Sequence, residues 1–201
     1  MSSEDRCYEL VRETTVFKGY FEVKRFSVRH SLYDGGWSEE LEREIFVRGN
    51  CVAVLPYDPV RDQVVLIEQF RAGALLDKPV PWLLEIVAGA IEPGEDVTDV
   101  AYRETVEEAG CSVENLLRIA EFYVSPGTCS EKLTVFCGQV DSREANGVHG
   151  LEEEGEDILV SVVDFDQAME KIASGEIDSA PPIISLQWLA LNRNRLRREW
   201  C

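Results

Sequence analysis

The chain contains no apolar run approaching the roughly 18–20 residues of a bilayer-spanning helix, so no membrane span is expected. It opens on Met-Ser-Ser-Glu-Asp-Arg, with no basic region leading into an apolar stretch, and no secretory leader is expected. Basic residues are scarce. Twenty Lys and Arg stand against 38 Asp and Glu, a formal net charge of −18. That balance argues against a general nucleic-acid binder, which needs a basic face for the phosphate backbone. It does not exclude a small anionic substrate, because bound metal ions can draw one into an acidic pocket. The zinc pattern is also missing: Cys7, Cys51, Cys111, Cys129, Cys137 and Cys201 include no Cys-x-x-Cys spacing and no His cluster accompanies them. Several of these cysteines sit in apolar stretches, as small buried thiols of a reducing cytosol do, and a cytoplasmic location is expected. No internal repeat or low-complexity tract is present.

What is there suits one domain, or one domain with an appended arm: 201 residues, 45% of them hydrophobic. Residues 8–48 read as extended segments. Residues 20–28 are rich in β-formers, Asp34-Gly35-Gly36 marks a turn within 31–37, and 42–48 reads as a strand. A sheet of so few apolar residues is thin and needs packing from elsewhere, which a partner subunit could supply. Strands follow at 51–55 and 63–69, joined as a hairpin by a turn at 58–62, and at 82–87, 116–124, 133–140 and 158–163. Residues 165–174 and 183–195 read as helices, the second running into a basic segment at 193–198. Strands and helices in this mix predict an α/β fold with a sheet covered by helices.

The chain is organised around residues 89–111, which read as a loop, a helix and a stop. Pro93-Gly94 is a turn signal, Asp96 suits the helix N-cap, and Gly110 suits the left-handed position that closes the helix. Val97, Val100, Ala101 and Thr105 recur at helical spacing as a buried stripe. Glu104, Glu107 and Glu108 share another face, where like charges cost an isolated helix roughly 0.2–0.5 kcal/mol per pair. Arg103 offsets part of this. One reading is a solvated acidic face. The other is a hard-cation site, since Mg²⁺ takes carboxylates, water and substrate phosphates as ligands.

The stretch resembles the box of the Nudix hydrolase family, Gly-x5-Glu-x7-Arg-Glu-U-x-Glu-Glu-x-Gly-U, with U usually a bulky aliphatic. Gly89, Glu95, Arg103, Glu104, Glu107, Glu108 and Gly110 match position by position. Thr105 and Cys111 fill the U positions and depart mildly, though both can pack inward. The segments Arg43-Glu44-Ile45-Phe46, Leu66-Ile67-Glu68-Gln69-Phe70-Arg71, Ser125-Pro126-Gly127-Thr128 with Ser130-Glu131, and Ser185-Leu186-Gln187-Trp188-Leu189 are similar to the bacterial ADP-ribose pyrophosphatase branch. The similarity runs from about residue 8 to the C-terminus. Pro126, sixteen residues after Gly110, matches the proline of ADP-ribose-specific members, and the Ser-Gln-Pro-Trp-Pro-Phe-Pro-like run of NADH-type members is absent.

The resemblance implies a Nudix α/β/α sandwich over residues 50–201 with an N-terminal antiparallel β-sheet arm over 1–49. It implies a domain-swapped homodimer in which the arm helps build the partner's site. Glu104 and Glu108 would be the principal ligands of Mg²⁺, with Mn²⁺ as a substitute and the Ala88 carbonyl beside them. Glu107 would bind or position a metal, and Glu95 with Arg103 would hold the cluster rigid. By composition, residues 152–157 form a flexible acidic loop. By resemblance that loop supplies the general base, Glu154, and a further ligand, Glu156, with Glu153 as the alternative one residue out of register. Arg43 and Arg71 read either as bidentate substrate contacts or as surface and ion-pair arginines. Tyr20 reads as an adenine-stacking ring or as a core strand residue. Ser125, Pro126 and Gly127 form a substrate loop or an ordinary turn, and Glu131 would take ribose hydroxyls. The implied activity is Mg²⁺-dependent hydrolysis of ADP-ribose to AMP and ribose 5-phosphate, with no nucleic-acid or membrane partner. The rivals are another nucleoside-diphosphate sugar such as GDP-mannose, a catalytically inactive Nudix-fold binding module, and a structural protein with a solvated acidic helix.

Overall fold

The computed structural model describes residues 6–201; residues 1–5, on which most of the leader reading rests, lie outside the described residues. The chain divides into two units. The first comprises the described residues up to Asn50 together with Phe122–Lys132, and the second Cys51–Glu121 with Leu133–Cys201.

The first unit is a three-stranded antiparallel sheet of β1 (Tyr8–Lys18), β2 (Glu22–His30) and β3 (Leu41–Val47). Residues 31–37 hold the expected turn, closed by a Ser31–Trp37 bridge, and β1 is the third member of the sheet. The Gly19 N–H donates to the Phe21 carbonyl at 2.9 Å, a tight turn that leaves Tyr20 at its tip and 95% exposed. Tyr20 is therefore not a core strand residue, and β2 starts two residues after it. All of β1 is exposed, including Leu10, Val11 and Phe17. The 125–131 loop docks on β3: Phe46 N–H donates to the Thr128 carbonyl at 2.8 Å and Ser130 N–H to the Phe46 carbonyl at 3.0 Å.

The second unit is built on a mixed sheet. Its strands are β4 (Cys51–Asp58), β5 (Gln63–Phe70), β6 (Trp82–Glu85), β7 (Val87–Ala90), β8 (Asn115–Tyr123), β9 (Lys132–Gln139), β10 (Val148–His149) and β11 (Ile158–Asp164). The order is β10-β11-β5-β4-β9-β8, with β6 on β5 and β7 on β4; β4 and β9 run parallel. The β4–β5 hairpin pairs only Tyr57 with Val64 and Asp58 with Gln63, because β7 takes the same edge of β4 at Cys51–Val54, while β9 lies along the other edge. The strand expected at 82–87 breaks at Ile86, where the chain leaves β5 for β4. Gly89, expected in the loop that opens the 89–111 stretch, therefore sits with Ala88 in a strand.

Three helices cover the sheet: α1 (Val97–Ala109), α2 (Phe165–Ser174) and α3 (Ala180–Glu199). Helix α3 starts three residues earlier than expected. Pro181 and Pro182 fall in its first turn, where a missing N–H costs nothing. Side chains alternate across the sheet. Val52, Val54, Val65 and Ile67 form one core with Val100, Ala101 and Ala109 of α1. Leu55, Tyr57 and Leu66 point the other way, and α2 and α3 contribute the buried Phe165, Leu186, Leu189 and Leu196. Cys51, Cys111 and Cys137 are buried free thiols.

One charged cluster fastens α3 to the β4–β5 turn. Asp62, at φ 62°, accepts from Tyr57 Oη at 2.8 Å and from Arg193 Nε at 2.8 and 2.9 Å. Arg197 Nη1 adds a contact at 3.1 Å, and Arg193 stacks over the Phe165 ring at 4.3 Å. Burial pushes the Asp62 carboxyl up, but the hydrogen bonds from Arg193 and Tyr57 and the charges of Arg193 and Arg197 outweigh it and hold the carboxyl below its usual range. Asp62→Asn should therefore cost about 2 kcal/mol at neutral pH, the scale of hydrogen bonds to charged groups. The contribution is full above the ordinary carboxyl pKa and is lost as pH falls through the lower folded-state value. The Tm gap between wild type and variant, followed by calorimetry, should hold down to about pH 4 and narrow below it. A gap that stays constant into strong acid would contradict this assignment.

Candidate active site

Helix α1 forms where its ends are signalled. The Asp96 carboxylate accepts the Thr98 N–H at 2.8 Å, and Gly110, at φ 66°, closes the last turn through its N–H to the Val106 carbonyl. Between these caps two glutamates are buried: Glu104 is 9% exposed and Glu108 2%. They flank the apolar stripe of Ala101 and Thr105 instead of forming a separate solvated face, which overturns the solvated-face reading for both. Glu107 is half-buried.

Strand β7 makes this burial possible. The Ala88 N–H donates to Glu108 Oε2 at 2.8 Å. Gly89 has no Cβ, and the Glu104 carboxylate fills the space: a Cβ there would lie 1.9 Å from Glu104 Oε1. Arg103 answers part of the charge, with Nη1 at 2.9 Å from Glu104 and 2.8 Å from Glu107, and Nη2 at 3.7 Å from Glu95. Glu95 in turn accepts the Glu92 N–H at 2.8 Å, which closes the turn before the helix.

The balance remains short of positive charge. Burial, reinforced by Glu107 and Glu156 and opposed by Arg103, pushes the Glu104 carboxyl up to about 7. Burial also dominates at Glu108, where Glu104 and Glu156 raise it further against the Ala88 N–H and Arg71, to about 8. Among the described residues, no three His, Cys, Asp or Glu side chains form a ready-made metal-holding group; Glu104 leans on Arg103 and Glu108 on the Ala88 N–H. The donor chemistry still fits a hard divalent cation. The carboxylates that sense one another are all oxygen donors, and Gly89 leaves one of them room against the strand.

The acidic segment closes the site from the other side. Glu152–Glu154 form one 3-10 turn ended by Gly155 at φ 70°. The segment is tied to α1 by the Gly150 N–H, which reaches the Glu107 carbonyl at 3.2 Å. Glu156 is held at the loop's base, where Oε2 accepts the Leu151 N–H at 3.0 Å, and a Cβ on Gly150 would meet Glu156 Cβ at 2.6 Å. Glu153 and Glu154 are exposed. Glu154 and Glu156 line a cleft with Arg71 and Trp82. Arg71 is both an ion-pair residue and a cleft residue: its Nε donates to Glu85 Oε2 at 2.7 Å while the guanidinium stays partly exposed. Glu85, which fixes Arg71, was not legible as a site residue, because its pairing depends on β6 lying against β5.

The remaining sequence-derived residues belong to the first unit. Arg43 is exposed, and its Nη1 donates to the Glu42 carbonyl at 2.7 Å. Ser125, Pro126 and Gly127 form an exposed turn in which Thr128 and Cys129 N–H groups close on the Ser125 carbonyl at 3.0 and 2.8 Å. The Glu131 carboxylate lies 3.5 Å from Arg48 Nη1. In the second unit, the residues brought together are Ala88, Glu95, Arg103, Glu104, Glu107, Glu108 and Glu156, with Glu154 and Arg71 in the adjoining cleft.

The seat at Gly89 gives a direct test. Gly89→Ala should keep its fold, with a Tm within a few degrees of wild type, because the atoms its Cβ meets belong to the flexible end of Glu104. It should weaken Mg²⁺ binding, read by titration calorimetry, by roughly 10–100-fold. Unchanged binding would detach the seat from cation chemistry.

A family model described as a NUDIX domain matches residues 47–184. The chain is 47% identical over 192 residues to the ADP-ribose pyrophosphatase of Escherichia coli strain K12, covering 96% of this chain and 92% of that protein. It is 33% identical over 186 residues to the GDP-mannose pyrophosphatase of Cronobacter sakazakii, covering 91% and 95%. A solved structure described as the crystal structure of an ADP compounds hydrolase matches the fold with a TM-score of 0.70 at 21% identity, covering 96% of this chain and 95% of that one.

Proposed function

The chain belongs to the NUDIX family, and from that premise we propose that it hydrolyses ADP-ribose, with water, to AMP and ribose 5-phosphate in a divalent-cation-dependent reaction. The observation that carries the reading is the buried pair Glu104 and Glu108 at the spacing of the Nudix box, seated against the backbone of Ala88 and Gly89. The chain is 47% identical to an ADP-ribose pyrophosphatase and 33% to a GDP-mannose pyrophosphatase, which supports that order of substrates. A binding module without catalysis needs none of the complete Arg103-Glu104 and Glu107-Glu108 set.

Mg²⁺, with Mn²⁺ as a substitute, is the cation of this reading. When bound it supplies charge neutralisation at the diphosphate and a lowered pKa for the attacking water. Glu104, Glu108, Glu156 and the Ala88 carbonyl would hold it, with Glu107 at the margin. Arg103, paired with Glu104, Glu107 and Glu95, keeps the carboxylates in place. Glu154 takes the proton from the attacking water. Its exposure on a turn between Gly150 and Gly155, both at positive φ, suits a loop that closes over substrate. The exposed part of Arg71 faces the anionic diphosphate from the same cleft.

Tyr20, Arg43, Ser125, Pro126, Gly127 and Glu131 are proposed to complete substrate recognition, the exposed Tyr20 ring by stacking on adenine. The arm, residues 1–49, is proposed to pair with a second copy in a domain-swapped homodimer. The support is the apolar surface that β1 leaves uncovered within its own unit at Leu10, Val11, Val16 and Phe17. The free thiols suit a reducing, cytoplasmic setting.

Release of AMP from ADP-ribose, lost with EDTA and faster than GMP release from GDP-mannose, is the direct test of the reading; equal or preferential GMP release would move it to the other nucleotide sugar. Glu108→Gln should cut kcat by orders of magnitude while the fold persists. Glu154→Gln should cut kcat by about 10²–10⁴-fold with little change in KM, as loss of a general base does. The greater loss falling instead on Glu153→Gln would shift the base by one residue, and only few-fold losses across both and Glu156→Gln would take the base out of this loop. Sedimentation should report a dimer, and deletion of residues 1–48 should leave an unstable or inactive remainder. A stable, active monomer after that deletion contradicts the swapped arrangement.

A further inference from the structure

One face of β5 changes character along its length. Val65 and Ile67 point into the core beneath α1. Gln69 and Arg71 follow at the same two-residue spacing, with Arg71 still extended at φ −124° and ψ 107°, so both continue that face beyond the core. There they line the cleft that also contains Trp82 and Glu154. Gln69 is only 6% exposed, and its Nε2 has no hydrogen-bond partner in the chain. Buried side-chain donors in native proteins are nearly always paired, because an unmet one keeps its full desolvation cost. Among the described residues, Ser179 Oγ is the one other buried side-chain atom in this state, and Ser179 does not line this cleft.

We infer that Gln69 is a substrate-contacting residue whose Nε2–H donates to a non-bridging oxygen of the diphosphate. The side-chain NH₂ can only donate, so its partner must be an acceptor. Phosphate oxygens are acceptors with no proton of their own at neutral pH. Arg71, two residues along the same face, places a guanidinium at this end of the cleft, and guanidinium groups suit phosphate oxygens. A neutral amide adds a donor without adding charge to a region where Arg71 is already shared with Glu85. The unmet donor is then a feature of the substrate-free protein that substrate satisfies. The cost in stability is retained because binding recovers it.

The inference rests on the ADP-ribose reading above, and the experiment separates the two. Gln69→Met keeps the length of the side chain and removes the donor; Gln69→Glu keeps its shape and replaces the donor by an acceptor. For each, Tm is measured without substrate, Kd for the non-hydrolysable α,β-methylene ADP-ribose is measured by calorimetry with Mg²⁺, and KM and kcat are measured on ADP-ribose. The Met variant should have a Tm equal to or above wild type, with Kd and KM both raised about tenfold and kcat changed far less, the signature of a lost ground-state contact. The Glu variant should bind more weakly still. A merely structural glutamine would move these the other way, with Tm falling and Kd unchanged. A lower Tm in the Met variant, or an unchanged Kd in both variants, overturns the inference while wild-type AMP release leaves the proposed function standing. Wild type that neither binds the analogue nor releases AMP removes the proposed function, and the inference with it.

Discussion

Two carboxylates that repel each other are buried on one helix, and the second unit is arranged to keep them there. Removing a carboxylate from water is expensive unless hydrogen bonds or opposite charges replace the lost hydration. Glu108 receives one backbone N–H, from Ala88, and Glu104 receives a share of Arg103. Neither is enough to keep the carboxyls in their usual range, and the nearby Glu156 makes the deficit larger. The backbone gives way to accommodate them: the strand beside α1 carries glycine at the position where any side chain would collide with Glu104. A fold selected for stability alone has no use for this arrangement. The proposed binding of a hard cation, which takes oxygen ligands, gives it one.

The scaffold holds that constellation from several directions. Helix α1 is stapled at both ends, by Asp96 and by Gly110, and its apolar stripe locks into Val52, Val54, Val65 and Ile67. Strand β7 reaches the helix because the chain changes partner at Ile86, leaving β5 for β4. The acidic loop is tied to α1 through Gly150 and to its own base through Glu156, while Glu152–Glu154 stand exposed on a single turn. On the far face, Asp62 gathers Arg193, Arg197 and Tyr57, and joins the end of the chain to the β4–β5 turn. Fixed surroundings beside one exposed turn suit the proposed phosphoryl chemistry.

Much of this was legible in the sequence, for identifiable reasons. Helix α1 was readable because Asp96, Pro93-Gly94 and Gly110 are local signals with local causes. Helix α2 spans 165–174 as its helical pattern predicts. The carboxylate pair was readable because its spacing fixes its face. What was not readable depends on tertiary partners. The break at Ile86 has no local signal, since it is set by which neighbour each half of the segment pairs with. The short β10 is a strand only by virtue of β11. Burial of Glu104 was hidden because helical periodicity assigns acidic residues to the solvent, and only the missing Cβ of Gly89 explains the exception. The basic run 193–198 gave no hint that Arg193 and Arg197 share a single aspartate more than 130 positions earlier, contacts whose sequence separations are 131 and 135. Tyr20 looked like the start of a strand because its neighbours are β-formers, but Gly19 turns the chain first.

The central claim is that burial of Glu104 and Glu108 destabilises the cation-free fold and is retained for the cation they are proposed to bind. The most direct test is the thermal stability of wild type and of the Glu104→Gln/Glu108→Gln double variant, each with and without saturating Mg²⁺. Glutamine keeps the length of both side chains and the acceptor for the Ala88 N–H while removing both ionisable groups, and the comparison is made above pH 8, where both wild-type carboxyls carry charge. The account predicts a double variant that is more stable than wild type without metal, and a rise in Tm on adding Mg²⁺ in wild type only. A double variant that melts below wild type without metal, or that gains as much from Mg²⁺ as wild type does, would contradict it.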